Sequence, residues 1–184
     1  FYDDMEVFNY DLDRAKALMA EAGYPDGGIS TTLTYSTSGD YAKYAELIQA
    51  NLKAIGIEVT LEPMEDATLK SACGEGTQEL FLWRWNEDSK VDFVYRDLFY
   101  TDSPSNYHHF ADAFADELID KVATEKDQDV RMKACIELQE YLVDQCPQVP
   151  LYIASLVIAY NNNLQGQCFY GGGNHNWSHA YIAK

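Results

Sequence analysis

The stretch from Thr31 to Leu61 constrains the fold more than any other, because its hydrophobic period changes twice within about thirty residues. Thr31 to Ser36 is rich in β-branched residues and shows Leu33 and Tyr35 on one face, which reads as a strand. Asp40 is placed to cap a helix carrying Tyr44, Ala45, Ile48, Leu52 and Ile55 on one side, with Gly56 as its stop. Ile57, Val59 and Leu61 then alternate with Glu58, Thr60 and Glu62, the period of a half-buried strand. Two strands joined through a helix by short links must run parallel, with a right-handed crossover.

Other elements extend this unit. Asp11 caps a helix with the stripe Leu12, Ala15, Leu18, Met19 and Ala22, ended by Gly23 and Pro25. A shorter helical stretch over Asp66 to Cys73 leads through Gly74 and Gly76 to a strand over Leu80 to Trp85. That strand is apolar on both faces except at Arg84, as in the middle of a covered sheet. A helix follows from Val91 to Tyr100. Ala115, Leu118, Ile119 and Val122 mark the next, and Ala134, Leu138, Tyr141 and Leu142 mark one ending before Pro147. A strand-like stretch starts at Val149, and a polar turn lies at Asn161 to Asn163. Residues 165–184 show no period and are expected to be irregular. The class is α/β, with helices packed on a mostly parallel sheet.

Composition excludes several functions. Thirteen basic against thirty acidic residues give a net charge of −17, which opposes binding to nucleic acid or an anionic lipid surface. No apolar run approaches the ~20 residues of a spanning helix. The chain opens at Phe1 without Met or an export signal, as expected of a piece of a longer protein. Cys73, Cys135, Cys146 and Cys168 form no CxxC pair. On one helix, Cys135 and Cys146 would stand roughly 16 Å apart, beyond disulfide reach.

Catalytic signatures are missing as well. Gly171 to Gly173 lacks the Lys-Ser or Lys-Thr of a phosphate loop, and no serine occupies a GxSxG elbow. A small α/β hydrolase would need a nucleophile with its base, and none is visible. His175 and His179 have the spacing of two zinc ligands on a helix, but no third ligand is near and the glycine run argues against a helix. His108-His109 read as a surface loop, and Asn176-Trp177-Ser178 is formally a glycosylation sequon. No cofactor and no metal is expected.

The most informative segment is Leu80 to Asp88, where a hydrophobic strand runs out into Trp83, Arg84, Trp85, Asn86 and an acidic pair. Ligands of open α/β sheets bind beyond the carboxyl ends of the strands. Aromatic faces make a tolerant wall, and a carboxylate such as Asp88 can hold an ammonium group. Equally, Trp83 can be plain core, and Asp88 or Ser89 can cap the following helix. The bare residues leave both readings open.

Several segments, in order, resemble the family 5 extracellular solute-binding proteins, the dipeptide- and oligopeptide-binding components of ABC importers. These are Leu12 to Gly27, ending Ala-Gly-Tyr-Pro-Asp-Gly; Leu47 to Val59; Asn106-Tyr107 with Asp116 to Asp120; and Arg131 through Pro147 to Pro150-Leu151-Tyr152. The resemblance implies a type II, periplasmic-binding-protein-like lobe. Residues 1–160 would be the C-terminal lobe of a two-lobe protein, and residues 161–184 would return to an N-terminal lobe outside this chain. It implies a binding protein rather than an enzyme, periplasmic or extracellular, free or lipid-anchored, which delivers short peptides to the permease subunits of an ABC transporter. In peptide-binding members a Trp-x-x-Asp motif places an aspartate on the ligand's ammonium. Trp85 to Asp88 matches it, which gives Asp88 that role and Trp85 that of a pocket wall, with Trp83, Arg84 and Asn86 beside them. Ser89 and Asp92-Phe93 depart from the aromatic and the Asp-Pro pair that relatives carry there, and no residue matches the family's carboxylate-binding positions. Relatives also bind nickel, oligosaccharides and other solutes, so a metal chelate, a sugar or a sensor role is the alternative.

Overall fold

The computed structural model describes residues 8–85, 91–153, 157–169 and 175–183. Three strands, β1 (Ile29–Ser36), β2 (Ile57–Met64) and β3 (Leu80–Leu82), form an all-parallel sheet in the order β2-β1-β3. The expected strand–helix–strand unit is present. β1 pairs with β2 from Ile29 opposite Ile57 to Ser36 opposite Met64, and the connecting helix is α2 (Tyr41–Lys53).

Alternation along the strands divides the sheet into two unlike faces. Leu33, Val59 and Leu82 are buried with Ala45 of α2, and Tyr35, Tyr44, Ile48, Leu52, Ile57 and Leu61 pack around them. The opposite face is mixed, with Thr34 and Ser36 of β1 opposite Phe81 and Met64. Thr34 and Ser36 are buried there, and Thr34 Oγ donates to Gln78 Oε1.

At the amino end of the sheet two turns meet. Gly27 and Gly56, both at positive φ, lie so close that a Cβ on Gly56 would stand 2.5 Å from the Gly27 Cα. The Gly28 N–H donates to Gly56 O at 3.0 Å, which fixes the start of β1 beside the start of β2. Only glycine fits this crossing.

The second half is helical: α3 (Asp66–Gly74), α4 (Val91–Phe99), α5 (Ala113–Thr124) and α6 (Gln128–Gln145), after α1 (Leu12–Glu21) and α2. Four of these starts are chemically marked. Asp11, Glu65, Asp112 and Asp127 accept hydrogen bonds from the first-turn N–H groups of α1, α3, α5 and α6. Leu98, Phe99, Ala115, Leu118, Ile119, Val122, Ala134, Leu138 and Leu142 close a separate core among α4, α5 and α6.

Several expectations are corrected. β3 stops at Leu82 rather than Trp85, and among the described residues it is an edge strand rather than a central one. Its apolar character serves ring contacts beyond the sheet instead of a second ladder. The α1 stripe buries no residue, and Leu18 is exposed. Asp40 precedes α2 but makes no capping bond; its carboxylate takes Lys43 Nζ at 2.7 Å instead.

The stretch from Val149 to Ile153 forms no strand, and Ile153 is 98 % exposed. No neighbouring strand offers a ladder to it among the described residues. Conversely, the tail is not wholly irregular. β4 (Leu164–Gln165) pairs with β7 (Tyr181–Ile182), and β5 (Cys168–Phe169) with β6 (His175–Asn176), all antiparallel. Pairings of two residues are too short to show a period in sequence. All four cysteines are free, Cys73 being buried.

Candidate ligand site at the carboxyl ends of the parallel strands

Three chain exits converge where β1, β2 and β3 end. After β1, Ser36 is buried, accepts the Ser38 N–H at 3.0 Å and donates to the Asp66 carboxylate. Ser38 Oγ lies 2.7 Å from Ser36 Oγ and 3.2 Å from Asp66 Oδ2. Asp66 opens α3 directly after β2, so this network ties the first two exits together.

The third exit, Trp83-Arg84-Trp85, follows β3 directly, and its side chains meet two different sets of partners. Trp83 and Trp85 both turn to Tyr107, with ring centroids 5.3 Å and 6.5 Å away and tilted planes. Such distances are those of interacting aromatic pairs. Trp83 is half-buried, while Trp85 is 37 % exposed and offers a face to solvent. Neither is enclosed core.

Arg84 faces the other way. It is exposed and close enough to Tyr41 and Tyr152 to act on both hydroxyls. Burial pushes the Tyr41 hydroxyl up; Arg84 opposes that shift, and Tyr152 and Asp66 add to it. Tyr152 is raised chiefly by its hydrogen bond with Tyr44, whose ring centroid lies 5.2 Å away. Among the described residues no ion pair joins Arg84 to a carboxylate.

Asn86 and Asp88 lie outside the described residues. Of the five residues expected at the site, the structure therefore places three: Trp83 and Trp85 together on one wall, and Arg84 on the opposite one. Sequence reasoning missed Tyr107, Tyr41, Tyr152 and the Ser36–Asp66 pair. Tyr107 was visible only as part of a resembling segment, and no local pattern marks a residue that reaches the site from more than twenty positions downstream.

The histidines are not ligand pairs. His108 is half-buried, not a surface-loop residue. It is stacked on Phe99 at 5.5 Å and lies 5.9 Å from Phe81. His175 belongs to β6 and His179 to a turn, so the spacing of four does not fall on a helix. Among the described residues no group of three potential ligands could hold a metal ion. The side chain of Asn176 accepts the Ser178 N–H at 2.9 Å.

Residues 1–107 match the model of the bacterial extracellular solute-binding proteins, family 5 Middle. The chain belongs to this family. A similar curated relative is the di/tripeptide-binding protein 2 of Pseudomonas aeruginosa, 30 % identical over 173 residues, covering 90 % of this chain and 32 % of that protein. Among solved structures, the Helicobacter pylori periplasmic binding protein DppA in complex with the peptide STSA superposes with a TM-score of 0.74 at 27 % identity. That match covers 82 % of this chain and 30 % of the other. HbpA2 of Haemophilus parasuis shares the fold, with a TM-score of 0.81 at 23 % identity over 100 % of this chain and 38 % of its own. The chain thus spans about a third of the length of these family 5 proteins. The α/β, type II binding-protein class expected from the sequence is the one found.

Proposed function

We propose that this chain is the C-terminal lobe of a peptide-binding protein that works outside the cytoplasm and hands its ligand to an ABC transporter. The observation that carries the reading is the half-open aromatic wall of Trp83, Trp85 and Tyr107 at the carboxyl ends of the parallel strands. Open α/β sheets bind ligands there. Aromatic faces accept varied side chains, as a carrier of mixed peptides requires. The names of the relatives, a di/tripeptide-binding protein and a DppA carrying STSA, favour peptide over sugar or metal chelate.

In this reading Asp88 anchors the peptide's ammonium group, Asn86 lies beside it, and Trp85 and Trp83 line a side-chain pocket. Arg84, across from them, suits the carboxylate. The rest of the site would come from a second lobe closing over the ligand, to which residues 161–184 would return. The protein would be a carrier rather than an enzyme, periplasmic or extracellular, whether free or lipid-anchored, with the transporter's permease subunits as partners.

The test is a thermal-shift titration of the full-length protein with tripeptides bearing free or acetylated N-termini. A ligand at ~100 times its Kd adds about 2.7 kcal/mol to the folded state and raises the melting temperature visibly. A shift with free N-termini only is expected, and Asp88→Asn should remove it, since the mutation strips a buried ammonium of its partner. Stabilisation by a sugar or a metal chelate, with none by any peptide, would overturn the peptide assignment.

A further inference from the structure

The aromatic wall does not stand by itself. Tyr107 belongs to residues 106–110, which touch both halves of the molecule. Asn106 is 7 % exposed and fastens this loop: its Nδ2 donates to Tyr100 O at 3.1 Å and to Phe110 O at 2.6 Å, and its Oδ1 accepts the Phe110 N–H at 3.2 Å. The Tyr107 ring lies over Gly74 at the end of α3, where an added Cβ would stand 3.8 Å from Cε1. His108 is wedged between Phe81 of β3 and Phe99 of α4, with Nδ1 3.4 Å from Leu98 O. His109 adopts φ +50 and brings Nε2 to 2.8 Å from Cys73 O.

A non-glycine residue in the left-handed region is held there by its surroundings. Here the holding contacts are the His109 ring on α3 and its N–H on Asn106 O at 3.2 Å. One short loop thus joins α3, α4 and the exit of β3, and it presents Tyr107 to both tryptophans.

We propose that residues 106–110 are a clasp that sets the attitude of the Trp83 and Trp85 wall, with Tyr107 as the positioning residue and His108 as the wedge that locks the loop. The assignment deepens the peptide-site reading and rests on it for its consequence in binding. A charged imidazole is disfavoured in this half-buried position because it loses water. Burial holds His108 below the usual histidine value, the Leu98 carbonyl and Gln148 pull the other way, and the neighbouring His109 lowers it further. Around this wedge, β3 supplies Phe81, α4 supplies Phe99 and Leu98 O, and the segment after α6 supplies Gln148, none of them titratable. Acidification therefore loosens the clasp through His108 itself.

The experiment uses the full-length protein labelled with 5-fluorotryptophan, its resonances assigned through Trp83→Phe and Trp85→Phe. Without ligand, both 19F resonances should move between pH 7.5 and pH 5.5, and in His108→Phe, which keeps the ring and removes the charge, they should stay fixed. Tyr107→Ala should shift both at pH 7.5 and weaken tripeptide binding about tenfold, while Tyr107→Phe restores both. Unmoved resonances in Tyr107→Ala, or an unchanged pH response in His108→Phe, would overturn the clasp. Resonances that behave as expected in a protein that binds no tripeptide would uphold the clasp and sink the peptide reading.

Discussion

The two halves of this chain are built on opposite plans. The helical half closes on itself, and nine buried residues from α4, α5 and α6 face one another. Among the described residues the sheet half gathers a smaller cluster of four, Leu33, Ala45, Val59 and Leu82, on the face under α2, while its other face buries Thr34 and Ser36 and its strand ends carry serines, carboxylates, Arg84 and the tryptophans. One half supplies a rigid base and the other an open, chemically varied edge. A ligand site belongs at such an edge, because binding groups must stay accessible while their backbones are fixed from below.

This contrast can be broken most directly by cavity mutations. Leu138→Ala, in the closed core at 0 % exposure, should cost about 4 kcal/mol in urea unfolding. Leu33→Ala in the sheet should cost less, about 2–3 kcal/mol, since its surroundings are looser. Equal costs, or the reverse order, would show that the halves are not differently packed.

Gly56→Ala tests a tight point of the sheet half and should cost about 3 kcal/mol, from the positive φ and the clash with Gly27. A loss below ~1 kcal/mol would mean that the two turns separate easily.

Asp112→Asn sharpens the helical side. Asp112 accepts the Ala115 N–H at 2.8 Å as the cap of α5 and the Tyr141 hydroxyl at 2.9 Å, so removing its charge should cost about 1 kcal/mol. Those bonds, the Ala115 one first, hold its carboxyl below the usual 3.8. Its contribution is therefore fully present above that value and lost as pH falls through the depressed one. A variant whose acid unfolding matches the wild type would contradict this.

The smallest expected effect lies at the seam. His108 is held below the usual 6.5, so the stability it lends is complete above pH 6.5 and declines as pH falls toward the folded value. His108→Phe should flatten that decline in a melting-temperature profile, and an unchanged profile would remove His108 from the account.

How much of this was legible in the sequence depended on how local the cause was. The α1 cap at Asp11, the stop at Gly23 and the parallel pairing of β1 with β2 follow from neighbouring residues, and the structure has them. The end of β3 was misjudged because Trp83 and Trp85 look like strand residues until Tyr107 is known to sit against them. Val149 to Ile153 is apolar enough to read as a strand but has no ladder beside it among the described residues, a fact no single segment reveals. The ribbons of the tail rest on pairings of two residues, too brief for periodicity. At the site, chemistry pointed to Trp83, Arg84 and Trp85. Their division between two walls, and the tyrosines that complete each wall, depend on contacts far apart in the chain.

The measurement that tests the central claim most directly is calorimetric titration of a tripeptide into the full-length protein and its Trp85→Ala variant. If the exposed tryptophan at the end of β3 is a ligand wall, the variant should bind about tenfold more weakly, a loss of about 1.4 kcal/mol. Equal affinity in the two proteins would contradict the claim and move the site away from the carboxyl ends of these strands.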